Sequence, residues 1–229
     1  MYKYTAVIIE FRKHEALSYV LRNFLENLSD EWKFLIFHGN LNKDYVKMII
    51  DEELSEYREK IKTVHLPYDN IKVHEYSRLL TNETSIYDNI DTETFLIFQT
   101  DTIIIKKNKE LINQFLHYDY VGAPLRSYGD IPVAVGNGGL SLRKKSKMLE
   151  IMEKEDIERR NEPEDIFFSN PLKVDIYKPS VIEAGRFSIE NYFVCDNPFG
   201  CHKPWLYGLE TFCKMHDEVK MLYNLNITQ

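Results

Sequence analysis

The sequence predicts an α/β fold in which a mostly parallel central sheet is flanked by helices and followed by a smaller β element. Three observations carry this expectation. Short apolar runs alternate with stretches of helical periodicity through the amino-terminal half. These runs lack a strict apolar–polar alternation, as strands buried on both faces require. After Ile105 the rhythm breaks into shorter segments punctuated by glycine and proline.

Residues Thr5 to Phe11 are rich in β-branched and apolar types and read as a buried first strand. Leu17, Val20, Leu21, Phe24, Leu25 and Leu28 then recur at intervals of three and four, one stripe of a helix facing a sheet. Trp32 to Phe37 is a second strand, closed by the turn signal His38-Gly39-Asn40. Tyr45, Met48, Ile49 and Leu54 mark a second helix, and Ile61 to Leu66 a third strand before Pro67. Val73 to Leu80 and Ile86 to Ile90 read as a broken helix. Phe95 to Phe98 is a strand that ends in Gln99-Thr100-Asp101 and restarts as a second apolar run to Ile105.

Beyond that point, Leu111 to Leu116 is a short helix, Tyr120 to Val121 a strand, and Pro124 to Pro132 a loop. Residues 133–143 form a strand interrupted by glycines, and a helix runs from about Lys144 to Glu155. An amphipathic helix closes the chain. With no internal repeat and no low-complexity linker, the expectation is one domain over residues 1–229.

A formal net charge of -7 argues against a dedicated nucleic-acid binder, which carries a basic surplus. The amino-terminal apolar run is too short for a signal peptide, and no run approaches the ~18 apolar residues of a membrane span. Three cysteines, Cys195, Cys201 and Cys213, lack metal-site spacing and read as reduced thiols in a cytoplasmic setting.

Five stretches have the residue types that chemistry needs, and each also has a structural reading. Asp101 ends a buried strand at a sheet edge, where open α/β sheets bind ligands, or it caps a turn. A divalent cation, Mn²⁺ or Mg²⁺, favours such carboxylate oxygens. Gln99 stands where a second carboxylate would complete an Asp-x-Asp pair and brings no charge. Gly136-Asn137-Gly138-Gly139 is a tight hairpin or a close backbone approach to a ligand. Glu164 and Asp165, after Pro163, complement a helix amino terminus or hold a carboxylate to take a proton. In Phe199-Gly-Cys-His202-Lys203-Pro-Trp205, His202 could complete a metal shell and Lys203 neutralise phosphate. Trp205 could pack on a sugar or seal the core. Glu10-Phe-Arg12-Lys-His14 follows the first strand, where its polar groups could bind a base or ribose or lie in solvent.

In order along the chain, eight stretches carry a resemblance: Val7–Arg12, Trp32–Gly39, Phe98–Asp101, Tyr120–Pro124, Val135–Arg143, Glu164–Ser169, Phe187–Glu190 and Phe199–Trp205. Together they resemble a glycosyltransferase-like family of large DNA viruses, bacteria and some eukaryotes. The resemblance implies a GT-A-type fold that binds a nucleotide-diphosphate sugar, a UDP-sugar being favoured, with Mn²⁺ or Mg²⁺. It implies a nucleotide-binding half at 1–105, and an acceptor-side half at 106–229 for a glycan or other hydroxyl. If the source is viral, the setting is host cytoplasm.

The expected donor-site residues are Glu10, Arg12, Gln99, Thr100, Asp101, Asn137, Gly138, Gly139, Lys203 and Trp205, with Asp101 and His202 on the metal. The glycine stretch and the Glu164-Asp165 helix start resemble the acceptor wall and base segment of inverting galactosyltransferase-like enzymes, which would make Asp165 the base, beside Glu164. Gly200-Cys-His-Lys203-Pro-Trp205 resembles the end of glycogenin-like retaining enzymes. There the metal-binding histidine lies three residues before the glycine, where this chain has Asn197 and His202 is the nearest substitute. The expectation adopted is an inverting transferase. Its rivals are a non-catalytic sugar-nucleotide or glycan-binding module and, more distantly, a nucleotidyltransferase.

Overall fold

The computed structural model describes residues 1–125, 135–190, 195–207 and 210–227. The first part of the chain runs β1 (Tyr4–Ile9), α1 (Leu17–Asn27), β2 (Trp32–His38), α2 (Lys43–Met48), β3 (Ile61–His65), α3 (Val73–Asn82), α4 (Ser85–Asp88), β4 (Thr94–Phe98) and β5 (Thr102–Ile104). The second part runs β6 (Tyr120–Gly122), β7 (Leu140–Lys144), α5 (Lys145–Lys154), α6 (Glu164–Ser169), α7 (Val181–Phe187), β8 (Ser188–Ile189), β9 (Gly200–His202), α8 (Glu210–Met215) and α9 (Asp217–Ile227).

Six strands form one sheet in the order β3-β2-β1-β4-β7-β6, and a second sheet has the order β5-β9-β8. In the large sheet β3, β2, β1 and β4 are parallel, and β7 runs against both β4 and β6. The apolar runs follow from this arrangement. Along β1, Ala6 and Ile8 join one apolar layer with Leu17, Val20 and Phe24 of α1. Val7 and Ile9 join the opposite layer with Leu79 and Leu80 of α3, Ile151 of α5 and Phe167 of α6. A strand covered on both faces must be apolar at every position.

Three elements differ from the sequence reading. The second helix ends at Met48 and continues as a π turn, Ile49–Glu53, in which Leu54 N–H bonds to Ile49 O at 2.9 Å. The wider turn buries Ile49, Ile50 and Leu54 together. A 3-10 segment, Lys106–Gln114, replaces the α-helix expected at Leu111–Leu116, and of its residues only Ile112 is buried. The closing helix is two, α8 and α9. Of the expected glycine-interrupted strand, the described part keeps a bridge from Val135 to Pro124 and regular pairing from Leu140 onward. Residues 126–134 of that loop and strand lie outside the described residues.

Two features place a site. Chain order reverses at β1, which pairs with β2 on one side and β4 on the other, so the segments leaving β1 and β4 splay into a crevice at the strands' carboxyl ends. Those segments are Glu10–Arg12 and Gln99–Asp101. In the small sheet Thr102 pairs with His202, and Ile189 with Cys201. The side chain of Asn23 bonds to both N–H and C=O of Ile104, at 2.9 and 3.1 Å, which fastens this sheet to α1.

The same helix is packed on the large sheet. Phe24 of α1 stacks on Phe98 of β4 with ring centroids 4.1 Å apart, and both are fully buried. Phe24→Ala is expected to cost about 3–5 kcal/mol of folding stability, read by urea denaturation.

Candidate active site

A cleft of about 560 Å³ opens where β1 and β4 end. It is lined by Glu10, Arg12, Gln99, Thr100, Asp101, Asn137, Gly138, Gly139, Glu164, Asp165, His202 and Lys203. Every sequence-predicted site residue is therefore brought together except one. Trp205 takes a different place: its ring packs on Tyr223, centroids 5.5 Å apart, against the α1-side apolar layer. It seals that layer rather than meeting the cleft.

At the end of β1, the buried Glu10 carboxylate takes Arg12 in a bidentate grip, Nε to Oε1 at 2.9 Å and Nη2 to Oε2 at 2.8 Å. It also accepts the Arg12 N–H and the Thr100 hydroxyl. Asn42 Nδ2 donates to the carbonyls of Glu10 and Arg12, which stiffens the loop. Glu10 is consequently a holder, and the half-exposed Arg12 guanidinium is the group offered to the cleft. Its hydrogen bonds to Glu10 keep the proton on it more firmly than usual.

At the end of β4, a tight turn brings Thr102 N–H and its hydroxyl onto Gln99 O at 3.1 and 2.7 Å. This turn presents Asp101. Its Oδ1 lies 3.1 Å from His202 Nε2, and its Oδ2 3.6 Å from Lys203 Nζ. Burial opposes ionisation of Asp101, but His202 and Lys203 outweigh it and hold the carboxyl well below the usual carboxylate range. Burial likewise opposes charging of His202, yet Asp101 and Glu190 flank its ring and push its pKa up to about 9. The strand register explains the meeting: Thr102 opposes His202, and Lys203 N–H closes on Asp101 O at 2.9 Å. Lys203 has φ 32°, a left-handed backbone that costs free energy in a residue with a Cβ and concentrates at functional sites.

The glycine stretch is a close approach. A Cβ on Gly138 would fall 2.2 Å from Glu164 Oε1, and one on Gly139 would fall 2.3 Å from the His202 ring. Only glycine lets this segment lie against α6 on one side and β9 on the other. Asn137 is turned inward, with its Nδ2 donating to Glu190 and its Oδ1 accepting Gly139 N–H at 3.0 Å.

On α6, adjacent acids have different environments. Glu164 is buried in a bidentate pair with Arg143, at 2.6 and 3.1 Å. Arg143 is fully buried, also bonds to Ser141, and lies over the rings of Tyr120 and Phe168 at 5.0 and 5.6 Å. Asp165 makes no ion pair among the described residues, and its Oδ1 accepts only the N–H of Ile166. Burial first, and the neighbouring charge of Glu164 second, push its carboxyl up to about 7.

Sequence reasoning missed two residues here. Arg143 opens the basic run Arg143-Lys144-Lys145 after a mostly apolar stretch, and Glu190 ends the short stretch Phe187-Ser188-Ile189 with an acid. Tyr76 and the segment Asn70–Val73 complete the rim and carry no comparable signal.

Among the described residues, no three His, Cys, Asp or Glu side chains converge as a ready-made metal cage. The fit to a divalent cation rests on two atoms. Asp101 Oδ1 and His202 Nε2 are buried, face each other and have no other hydrogen-bond partner among the described residues. Such a pair suits a cation that takes its remaining ligands from phosphate oxygens and water.

Residues 60–202, more than half of the chain, match the model of the family described as Protein of unknown function (DUF5672). The chain belongs to this family. No curated protein matches it. Solved structures do. An active-site variant of LgtC superposes with a TM-score of 0.57 at 13% identity, covering 92% of this chain and 94% of that one. The galactosyltransferase LgtC with donor and acceptor sugar analogs gives 0.56 at 12% identity, with the same coverage. The apo glycosyltransferase GlyE of Streptococcus pneumoniae gives 0.54 at 13% identity, covering 97% of this chain and 62% of that one. The chain thus spans less than two thirds of GlyE. These likenesses establish the fold, which is that of GT-A glycosyltransferases with a second small sheet.

The Asp165 environment has a consequence for stability. The folded pKa of about 7 exceeds the unfolded value of about 4. Below pH 4 both states hold the proton and nothing is lost. As pH rises from about 4 to about 7 the unfolded state releases it first, so this group lowers folding stability across that window. Asp165→Asn is expected to raise the melting temperature relative to wild type at pH 8, and much less at pH 4, in thermal unfolding.

Proposed function

We propose that this protein is a glycosyltransferase that moves a sugar from a nucleotide-diphosphate sugar to an acceptor hydroxyl. One observation carries the proposal. A carboxylate poised near neutral pH, Asp165, shares a cleft at the sheet's switch point with the facing Asp101–His202 pair. A proton acceptor and a diphosphate-holding end in one cleft are what transfer to a hydroxyl requires. LgtC, solved with donor and acceptor sugar analogs, shares the fold and supports the reading.

Residues 1–105 supply the donor half and residues 106–229 the acceptor side. Arg12, held by Glu10, and the Gln99–Asp101 turn face the nucleotide and diphosphate. Lys203 compensates charge on the leaving group, and the backbone at Gly138 and Gly139 bounds the sugar. Asp101 and His202 would hold Mn²⁺ or Mg²⁺, which when bound neutralises charge on the departing diphosphate. Asp165 takes the proton of the acceptor hydroxyl as its oxygen attacks the anomeric carbon. Glu164 stays engaged with Arg143 and acts through Asp165, raising its basicity. Direct attack on this plan inverts the anomeric centre. UDP-sugars are the first donors to test, against glycans and other hydroxyl acceptors.

Release of nucleoside diphosphate across a panel of donors and acceptors tests the activity, and NMR of the product reads the anomeric linkage. A retained configuration would remove the direct-attack role of Asp165. Binding of donor without release by any acceptor would favour a sugar-nucleotide-binding module.

Asp165→Asn is expected to lower turnover by about 10²–10⁴ with donor affinity near wild type. Since the base works deprotonated, wild-type kcat/KM is expected to climb as pH rises through about 7. A flat profile across that range, or unchanged turnover in the variant, counts against the assignment. Asp101→Ala is expected to abolish the dependence of donor affinity on Mn²⁺, measured by calorimetry with and without the ion; a persisting dependence removes Asp101 from the metal.

A further inference from the structure

The imidazole of His202 meets different surroundings on its two sides. Its Nδ1 faces two oxygens, with Glu190 Oε1 and Asn137 Oδ1 each 3.1 Å away. The orientation of the Asn137 amide follows from its other contacts, because its Oδ1 accepts Gly139 N–H at 3.0 Å and its Nδ2 donates to Glu190 Oε2. Nδ1 must therefore carry a hydrogen, since a bare nitrogen there would oppose two acceptors with no proton between them.

In the neutral ring this leaves a lone pair on Nε2. That atom lies 3.1 Å from Asp101 Oδ1, and both are buried with no other partner among the described residues. Two electron-rich atoms in such a place call for a positive species between them, the ring's second proton when no metal is bound or a cation that displaces it.

We infer that Glu190 and Asn137 are a tautomer lock, positioning residues that keep the Nε2 lone pair of His202 turned toward Asp101 for a divalent cation. This rests on the donor-site reading above. A carboxylate is needed at position 190. Its two oxygens accept from Asn137 Nδ2 and from His202 Nδ1 at once, whereas a glutamine would set an NH₂ against one of those donors. The fold supplies the placement: β8 pairs with β9 in register, Ile189 beside Cys201, so the residue after each strand residue lies side by side with its neighbour. Metal-binding histidines usually donate their second N–H to such a partner, and losing the partner typically weakens the metal by about 10–100-fold.

The test uses the full chain with ¹⁵N-labelled histidine, metal-free, at a pH where the same spectra show the His202 ring neutral. The expected signature is a proton on Nδ1 and a bare Nε2. Uptake of Mn²⁺ in the presence of UDP, read from the electron paramagnetic resonance of free Mn²⁺, is expected to weaken about 10–100-fold in Glu190→Gln. In a His202→Ala background the same substitution should add no further loss. A proton on Nε2 in the wild type overturns the lock, as does equal Mn²⁺ affinity in Glu190→Gln. A proton on Nδ1 without any Mn²⁺ uptake by the wild type upholds the lock and overturns the metal reading. Should Glu190→Gln fail to fold, the wild-type spectrum alone decides the tautomer.

Discussion

The candidate site depends on one backbone constraint, the register of the three-stranded sheet. Thr102 opposite His202 and Ile189 beside Cys201 set Asp101, His202 and Glu190 shoulder to shoulder. Side chains alternate along a strand, so a slip of one residue in β9 would exchange His202 for Cys201. The imidazole would enter the apolar layer that Cys201 now fills, and a thiol would face Asp101. Gly200 guards against this. A Cβ there would lie 2.6 Å from Ile103 O and 2.7 Å from Leu140, so no other residue fits that place in the pairing.

Within this frame, electrostatics sort the acids of the cleft into distinct roles. Glu10 is matched by Arg12, Glu164 by Arg143, and Glu190 by Asn137 and His202. Asp101 faces a histidine and a lysine. Among the described residues, Asp165 alone of these acids has no cationic partner in contact, and it is the one whose carboxyl rises. Pairing Glu164 with the buried Arg143 guanidinium keeps a negative charge beside Asp165. The arrangement therefore sets one carboxyl with a raised pKa apart from the acids that meet cations or amides.

Much of the fold was legible because the information is local. A strand buried on both faces needs an unbroken apolar run, and β1, β2 and β4 have one. Asp101 was legible for a related reason: an acid at the end of such a run has nowhere to lie but the sheet edge. The site's remaining parts are tertiary. Nothing near Arg143 in sequence announces Glu164 as its partner, and Glu190 matters only because β8 happens to pair with β9. Trp205 shows the limit from the other side. An aromatic next to proline is equally suited to a sugar or to an apolar layer, and only the docking of α9, through Tyr223, chooses the layer. The π turn at Ile49–Glu53 was invisible because one extra residue in a helical turn leaves the apolar spacing almost unchanged.

The order of the large sheet bears on how the chain is made. β1, β2, β3 and β4 are consecutive parallel neighbours or near neighbours, and they can assemble as soon as residues up to Phe98 have left the ribosome. The edge of β4 then stays open until β7 arrives, more than forty residues later, and Asp101 has no β9 beside it for about a hundred residues. During that interval the nascent chain has a core still lacking Ile151 of α5 and Phe167 of α6, and an unpaired strand edge, a condition that invites mispairing. Any nucleotide or metal affinity that depends on His202 and Glu190 can begin only after β9 docks, so ligand binding would favour chains with β9 in place over those without it.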